Sequence, residues 1–268
     1  MEPMQIDLAP GSDAAAIAAR LASQGCAVVG PEDLAALAKT DRSALSSLEA
    51  FWEDLVPDAY LKDVPEGAPI YRLRRHGSFV LGGDGVLHDH RHRPHWQPTT
   101  YNALHGGMLR PFEPLAADFA THDAFRSLVA ALGEVHRTAS GARDDLFVEV
   151  HPFRITTAGG VGRPTPEGAH RDGVDFVAVV LISREGIIGG ETRIFAADSP
   201  GKLCAPGVRF TLTTPWTAVL LDDARVIHES TPIQPAAPRD ADGHRDTLVI
   251  TYRRGGFQEP AVVAEGVE

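Results

Sequence analysis

Residues 175–182 read DFVAVVLI, and the fold turns on how that run is taken. Eight residues make a strand but fall short of a typical helix, and the β-branched side chains suit a pleated surface. The apolar residues are consecutive, so both faces of such a strand are covered. The same texture recurs outward in both directions. YRLRRHGSFVL (71–81) and LFVEVHPFRIT (146–156) precede it, and ETRIFAA (191–197), VRFTLTT (208–214), TAVLLDD (217–223) and TLVITYRR (247–254) follow. Gly/Pro turns separate these runs without regular helical crossovers, which favours an antiparallel sandwich or barrel. The segment TTAGGVGRPTPEG (156–168) sits inside the series and reads as a loop. One helix, roughly 114–132, interrupts it.

Before residue 69 the texture is helical. Ser12 is placed to cap a helix over 13–23 that Gly25 ends. CAVVG (26–30) reads as a short strand, and Pro31 opens a second helix at its favoured first position. Leu45, Leu48, Phe51, Trp52 and Leu55 then fall at helical spacing. The expectation is one domain over 1–268, mainly β with flanking helices (α+β). Residues 1–68 form a helical layer, and 69–255 form the β-rich catalytic core.

Composition narrows the function. The chain has 268 residues, 43% hydrophobic and 23% charged, which suits a globular protein with a sizeable core. A net charge of −11 mismatches a nucleic-acid backbone. Two cysteines are too few for a disulfide scaffold or thiolate-bound zinc. No apolar run approaches the roughly 18–20 residues that span a bilayer, and the acidic start MEPMQIDLAP lacks a signal region. A cytoplasmic enzyme acting on a small molecule, with no nucleic-acid or membrane partner, is the expectation. The oligomeric state stays open, a homo-oligomer included.

Twelve histidines invite a metal reading. His88, His90, His92 and His95 crowd into HDHRHRPH, but glycines precede them and Arg91, Arg93 and Pro94 interleave. A polar loop accounts for this stretch better than a strand of ligands. His170-Arg171-Asp172 is sharper. Residues i and i+2 of an extended segment project to one side, so an imidazole and a carboxylate reach one ion together. His228, at the end of TAVLLDDARVIH, is placed to be the third ligand. Two His and one carboxylate leave positions open, as in non-haem Fe(II) oxygenases. His-x-Asp alone is weak, since about one such pair arises by chance in this composition. Indeed His244-Arg245-Asp246 is a second. There, however, Arg245, Thr247, Val249 and Thr251 share one face of the strand. An inward guanidinium suits the distal carboxylate of 2-oxoglutarate, with Thr247 as a hydroxyl donor and Arg253 or Arg254 as fallbacks.

These motifs, with RLRRHGSF, HWQPTTYNALHGGMLRPFEPL and VEVHPFRIT upstream, resemble the bacterial 2-oxoglutarate/Fe(II) dioxygenases that include the L-isoleucine hydroxylases. The similarity runs over residues 69–255. It implies a double-stranded β-helix, a cupin-like jelly roll. It also implies His170, Asp172 and His228 as iron ligands, Arg245 as the 2-oxoglutarate anchor, and Fe(II), 2-oxoglutarate and O2 as the cofactor set. The implied reaction hydroxylates an unactivated C–H bond of a small amino acid while releasing succinate and CO2. Arg171 is expected to point away from iron.

A free aliphatic L-amino acid needs a cation for its carboxylate, an acceptor for its ammonium and an apolar pocket. Arg72, Arg74, Arg75, Arg110 and Arg154 are carboxylate candidates, with Arg74 and Arg154 foremost. Asp175 or Glu191 are expected at the ammonium, and Trp96, with Phe79, Tyr101 and Phe153, at the pocket wall. An N-acylated substrate, sulfoxidation of a thioether, a nucleic-acid demethylase, a cupin-like enzyme using the HDHRH histidines and a non-catalytic binding module on the same fold are the alternatives.

Overall fold

The structure, a computed structural model, describes residues 13–199, 202–237 and 243–260. Its helices are α1 (Ala14–Gln24), α2 (Pro31–Leu37), α3 (Arg42–Ser46), α4 (Ala117–Ala120) and α5 (Asp123–Ser140). The strands before residue 100 are β1 (Cys26–Val29), β2 (Val56–Pro57), β3 (Arg72–Arg74), β4 (Gly77–Leu81) and β5 (Leu87–Asp89). Those that follow are β6 (Leu146–Thr156), β7 (Phe176–Glu185), β8 (Ile187–Gly189), β9 (Glu191–Ser199), β10 (Lys202–Thr211), β11 (Ala218–Asp222), β12 (Val226–Ser230), β13 (Ile233–Pro235) and β14 (His244–Arg254). The large sheet runs β1-β11-β7-β14-β6-β3-β2, with β4 also on β6 and β5 on β4. Smaller sheets, β10-β9-β12 and β13-β8, complete a jelly roll.

Alternation along the central strands builds the layers. In β7, Phe176, Ala178, Val180 and Ile182 face the helices, while Val177 and Leu181 join Ile194 and Val226 of the small sheet. Both faces pack against apolar side chains, with only Val179 reaching the cavity, hence the uninterrupted apolar run. β6 divides differently. Leu146, Val148 and Val150 enter the helical core, whereas Glu149, His151, Phe153 and Ile155 line a cavity between the sheets. β14 repeats the split, with Leu248, Ile250 and Tyr252 on the core side and Arg245, Thr247, Val249 and Thr251 on the cavity side.

Several local expectations shift. The N-cap of α1 is Asp13, whose carboxylate accepts from Ala16 N–H at 2.8 Å, while Ser12 lies outside the described residues. The 41–55 helix is two pieces, α3 and a 3-10 turn over Glu49–Asp54. YRLRRHGSFVL breaks at Arg75 and His76 into β3 and β4, because Arg75 turns outward to Asp54 and the Pro114 carbonyl. The helix expected over 114–132 is split and displaced, with its longer part, α5, continuing to Ser140. No helix among the described residues is long and apolar enough to cross a membrane.

Gly133 explains the misplaced helix end. A Cβ there would sit 2.2 Å from Leu81 Cδ2 and 3.1 Å from the Tyr252 ring, so the glycine lets α5 approach the sheet instead of ending the helix. Gly133→Val is expected to lower stability by about 2–3 kcal/mol through overpacking. A thermal or urea unfolding curve checks this, and an unchanged midpoint would mean that α5 can lift off the sheet at little cost.

Candidate active site

The cavity between the sheets gathers its polar groups through backbone pairing. His170 and His228 form an isolated antiparallel bridge, each N–H donating to the other's carbonyl at 3.0 Å. Residues so paired present their side chains together on one face, and the two rings lie 4.6 Å apart. Asp172 follows two residues on. The turn after it is held by the Asp223 carboxylate, which accepts from the backbone N–H groups of Asp172, Gly173 and Val174 at 3.0, 2.7 and 3.1 Å. Burial and the neighbouring Asp172 carboxylate push Asp223 up to about 7, against those three donors.

Asp172 thus stands 3.8 Å from His170 Nε2 and 3.7 Å from His228 Nε2, and the three donor atoms lie within 4.8 Å of one another. Such spans suit donors sharing one ion at bonds of about 2.0–2.2 Å. The Gly168 carbonyl accepts from His170 Nδ1–H at 2.9 Å, which leaves Nε2 free to ligate. Burial lowers the His170 pKa, but the Glu167 and Asp172 carboxylates raise it above its ordinary value overall. Burial pulls His228 down to about 4, so its ring is neutral.

Arg245 lies on another wall of the same cavity. Its side chain is buried, and Nε and Nη2 have no hydrogen-bond partner among the described residues. Burial and nearby Arg184 lower its pKa to about 10, still a cation at neutral pH. Thr247 is beside it on β14, and Gly190 (φ +68) lies next to it, where a Cβ would come to ordinary contact with Arg245 Cδ at 3.6 Å. A buried guanidinium with idle N–H groups is a site made for an anion.

Residues 49–251 match the family model described as 2OG-Fe dioxygenase. The chain belongs to the 2OG-Fe dioxygenase family. Among solved structures, this dioxygenase is similar to a bsmA homolog from Methylobium petroleophilum PM1, 50% identical, with TM-score 0.86 over 96% of this chain and 100% of that one. Its fold is shared by IDO from Bacillus thuringiensis, 17% identical, TM-score 0.70, covering 92% and 97% of the two chains. It is shared too by the Fe(II)/α-ketoglutarate-dependent dioxygenase TqaL, 17% identical, TM-score 0.65, covering 90% and 88%. No curated protein is significantly similar. The family uses Fe(II), 2-oxoglutarate and O2, and the residues present fit that set. Two imidazoles and a carboxylate converge, and an orphaned guanidinium shares their cavity.

The other expected residues divide. Arg74 lines the cavity, held between the rings of Phe112 at 3.6 Å and Phe153 at 4.3 Å. Arg154 does not. It points to the outer face, where Nε and Nη2 bind Asp246 at 2.9 and 2.8 Å and Nη2 binds Glu53 at 2.7 Å. Asp175 is also excluded, being turned outward to Arg254 at 2.6 Å. Trp96 is half-buried off the cavity, and its neighbour Gln97 faces in instead. Glu191 pairs with Arg193, Phe79 joins the helical core, and Arg171 turns toward Tyr101, its guanidinium carbon 6.0 Å from that ring. His244 and Asp246 lie 3.5 Å apart on the far face of β14 and gather no third ligand among the described residues. Arg253 and Arg254 bond to the Gly256 carbonyl and to Asp175.

One histidine of the crowded stretch has a different fate. His95 joins His76, His151 and Glu149 in a second buried group whose donor atoms also lie within 4.8 Å. Here the atoms are already engaged. Glu149 accepts from His76, His95 and Arg93, each at 3.2 Å, and His151 Nδ1 accepts from Arg74 at 2.6 Å. Two guanidiniums at the group oppose a cation, so this is a hydrogen-bond network that braces the cavity wall. Sequence reasoning missed Glu149, Glu167 and Gln97. Alternation along β6 would have placed Glu149 with His151, but nothing local marks the other two.

Proposed function

We propose that this dioxygenase hydroxylates an unactivated C–H bond of a small amino acid, a free aliphatic L-amino acid foremost, at the expense of 2-oxoglutarate and O2. The observation that carries the reading is the orphaned Arg245 guanidinium in the cavity of the His170–Asp172–His228 cluster. In this reading His170 and His228 hold Fe(II) through Nε2 and Asp172 through a carboxylate oxygen. Arg245 takes the distal carboxylate of 2-oxoglutarate in a charge-assisted pair, with Thr247 donating beside it. The bound iron, cosubstrate and O2 together supply an oxidant strong enough for such a bond, with succinate and CO2 as by-products. Val249 on the strand of Arg245 and Val179 on the neighbouring β7 line the cavity and limit water there, while Phe153 and Ile155 offer apolar surface.

Glu167 favours a free ammonium over an N-acylated one. It lines the cavity beside His170, and its buried Oε2 has no partner among the described residues. It therefore takes the role expected of Asp175. The test is mass spectrometry of aerobic reactions with Fe(II), 2-oxoglutarate and a panel of free and N-acylated L-amino acids, methionine included. The expected result is a free amino acid gaining one oxygen with matching succinate, absent with His170→Ala. An oxygenated thioether alone would make the enzyme a sulfoxidase. Failure of the anaerobic protein to bind Fe(II) and 2-oxoglutarate would overturn the reading.

A further inference from the structure

The segment His95–Arg110, HWQPTTYNALHGGMLR, is a closed loop whose purpose the iron site does not explain. His95 and Arg110 pair at its neck, with N–H to carbonyl distances of 3.0 and 2.9 Å. Inside, Gly107 N–H donates to the Gln97 carbonyl and Gly106 N–H to the Asn102 carbonyl, both at 2.8 Å. A Cβ on Gly106 would sit 2.3 Å from that Asn102 carbonyl oxygen, so the loop closes this tightly only with glycine there. The result is that Gln97, Asn102 and Arg110, all buried, stand on the cavity.

Gln97 is fixed by its neighbours. Its Oε1 accepts from Arg110 Nη2 at 2.9 Å and Asn102 Nδ2 at 3.3 Å, and its Nε2 donates to Asp172 Oδ1 at 3.2 Å. A flipped amide would set donors against donors and an oxygen against a carboxylate. One amide therefore separates Arg110 from Asp172.

Arg110 lacks an anion. Among the described residues no carboxylate lies within ion-pair distance of it, and its Nε has no partner. Arg74 Nε is idle as well, and its Nη1 comes no nearer than 3.9 Å to Asp58, which is already bound by Arg72 at 2.8 Å. Both guanidiniums lie against the ring of Phe112, at 3.6 and 5.6 Å, so they are neighbours. Asp58 and Glu149 act on both guanidiniums only through space, and the Glu149 oxygens are hydrogen-bonded to two neutral histidines and to Arg93 rather than to either arginine. Unpaired buried cations are costly unless an anion arrives.

We propose that Arg110 and Arg74 form the subsite for the substrate's carboxylate, and that the Gln97 amide ties this subsite to Asp172. The inference rests on reading the cavity as the iron site of an amino-acid hydroxylase. A carboxylate on Arg110 draws the guanidinium away from Gln97 Oε1, and the amide then settles differently against Asp172. Arrival of the substrate is thereby felt at the metal ligand. Because a single amide spans the gap, the reacting carbon lies only a few bonds from the carboxylate.

Anaerobic protein loaded with Fe(II) and 2-oxoglutarate would be titrated calorimetrically with butyrate and butyramide as probes, after the loading itself is measured in each variant. The expected wild-type result is at least tenfold tighter butyrate binding. Arg110→Gln and, independently, Arg74→Gln should erase that preference while Fe(II) and 2-oxoglutarate still bind. Gln97→Leu should keep butyrate binding but abolish the shift that butyrate causes in the iron charge-transfer band, and raise the ratio of succinate to hydroxylated product. No preference for butyrate in wild type, or a preference retained in both arginine variants, would overturn the subsite. An unchanged band shift in Gln97→Leu would overturn the coupling. Failure of wild type to load would instead overturn the functional reading, and the butyrate comparison would then be decided on the unloaded protein by the same criterion.

Discussion

Arg245→Met is expected to make the ligand-free protein more stable and 2-oxoglutarate binding far weaker. Arg245 is 3% exposed, and two of its guanidinium nitrogens find no partner among the described residues. Burying such donors costs about 1–3 kcal/mol, and methionine fills comparable space without them. The unfolding midpoint of the unliganded variant should therefore rise. Function moves the other way. Removing one partner of a buried charge pair costs about 3–5 kcal/mol, which is a loss of about 10²–10⁴-fold in affinity for 2-oxoglutarate. Added 2-oxoglutarate should accordingly raise the wild-type midpoint, because a ligand that binds only the folded state stabilises it, and should leave the variant's unmoved. Arg245→Lys retains the charge but loses the planar fork, and belongs between the two. Calorimetric titration and thermal unfolding of the three proteins check both halves. Undiminished affinity in Arg245→Met would transfer the distal carboxylate to another arginine of the cavity.

The sequence made Arg245 findable because strand alternation survives translation into three dimensions. Along β14 the parity from Arg245 to Thr251 holds despite a register shift at Asp246/Thr247 on the β7 side. Parity says less where the backbone turns. Nearness in sequence to Asp172 suggests Asp175 for the site, but the offset of three is out of phase with Asp172, Gly173 adopts φ +76 and Asp223 clamps the turn, and Asp175 ends on Arg254 outside the cavity. The helix expected to end near 132 runs through Gly133, where the glycine marks a close approach of helix to sheet rather than a helix end. Gln97 was illegible altogether. It sits in a loop without period, and its contact with Asp172 spans 75 residues of chain, which only the closed fold brings together.

Acid should unfold this protein early, and the reason lies in imidazoles trapped neutral. Burial pushes His76, His105 and His136 each down to about 4 from an ordinary value of 6.5. His76 is stacked on His151 at 4.9 Å, and His136 on Phe176 at 5.0 Å beneath α5. In the unfolded chain these rings take a proton below pH 6.5, whereas in the folded protein they stay neutral until about pH 4. Between those values the unfolded state binds more protons, so stability is intact above pH 6.5 and drains as the pH falls toward 4. At about 1.4 kcal/mol per pH unit, one such ring costs up to about 3 kcal/mol by the bottom of that window. Several together rival the whole stability of a domain, about 5–15 kcal/mol. Glu149, held well below the usual carboxylate range by His95 and His76 against the opposing pull of burial, extends the same trend below pH 4.5. Two raised groups oppose it: His170 only weakly, since that contribution is complete below pH 6.5, and Asp223, lifted to about 7 by burial and Asp172, which offsets about one ring across the same window. Urea unfolding of the metal-free protein from pH 8 to pH 4 should show a steep loss beginning near pH 6.5. His136→Phe keeps a ring against Phe176 but cannot take a proton, and should flatten the loss measurably. Constant stability between pH 6.5 and 5 in wild type would mean that these rings protonate inside the folded protein, and hence that water reaches them beneath α5 and behind the sheet.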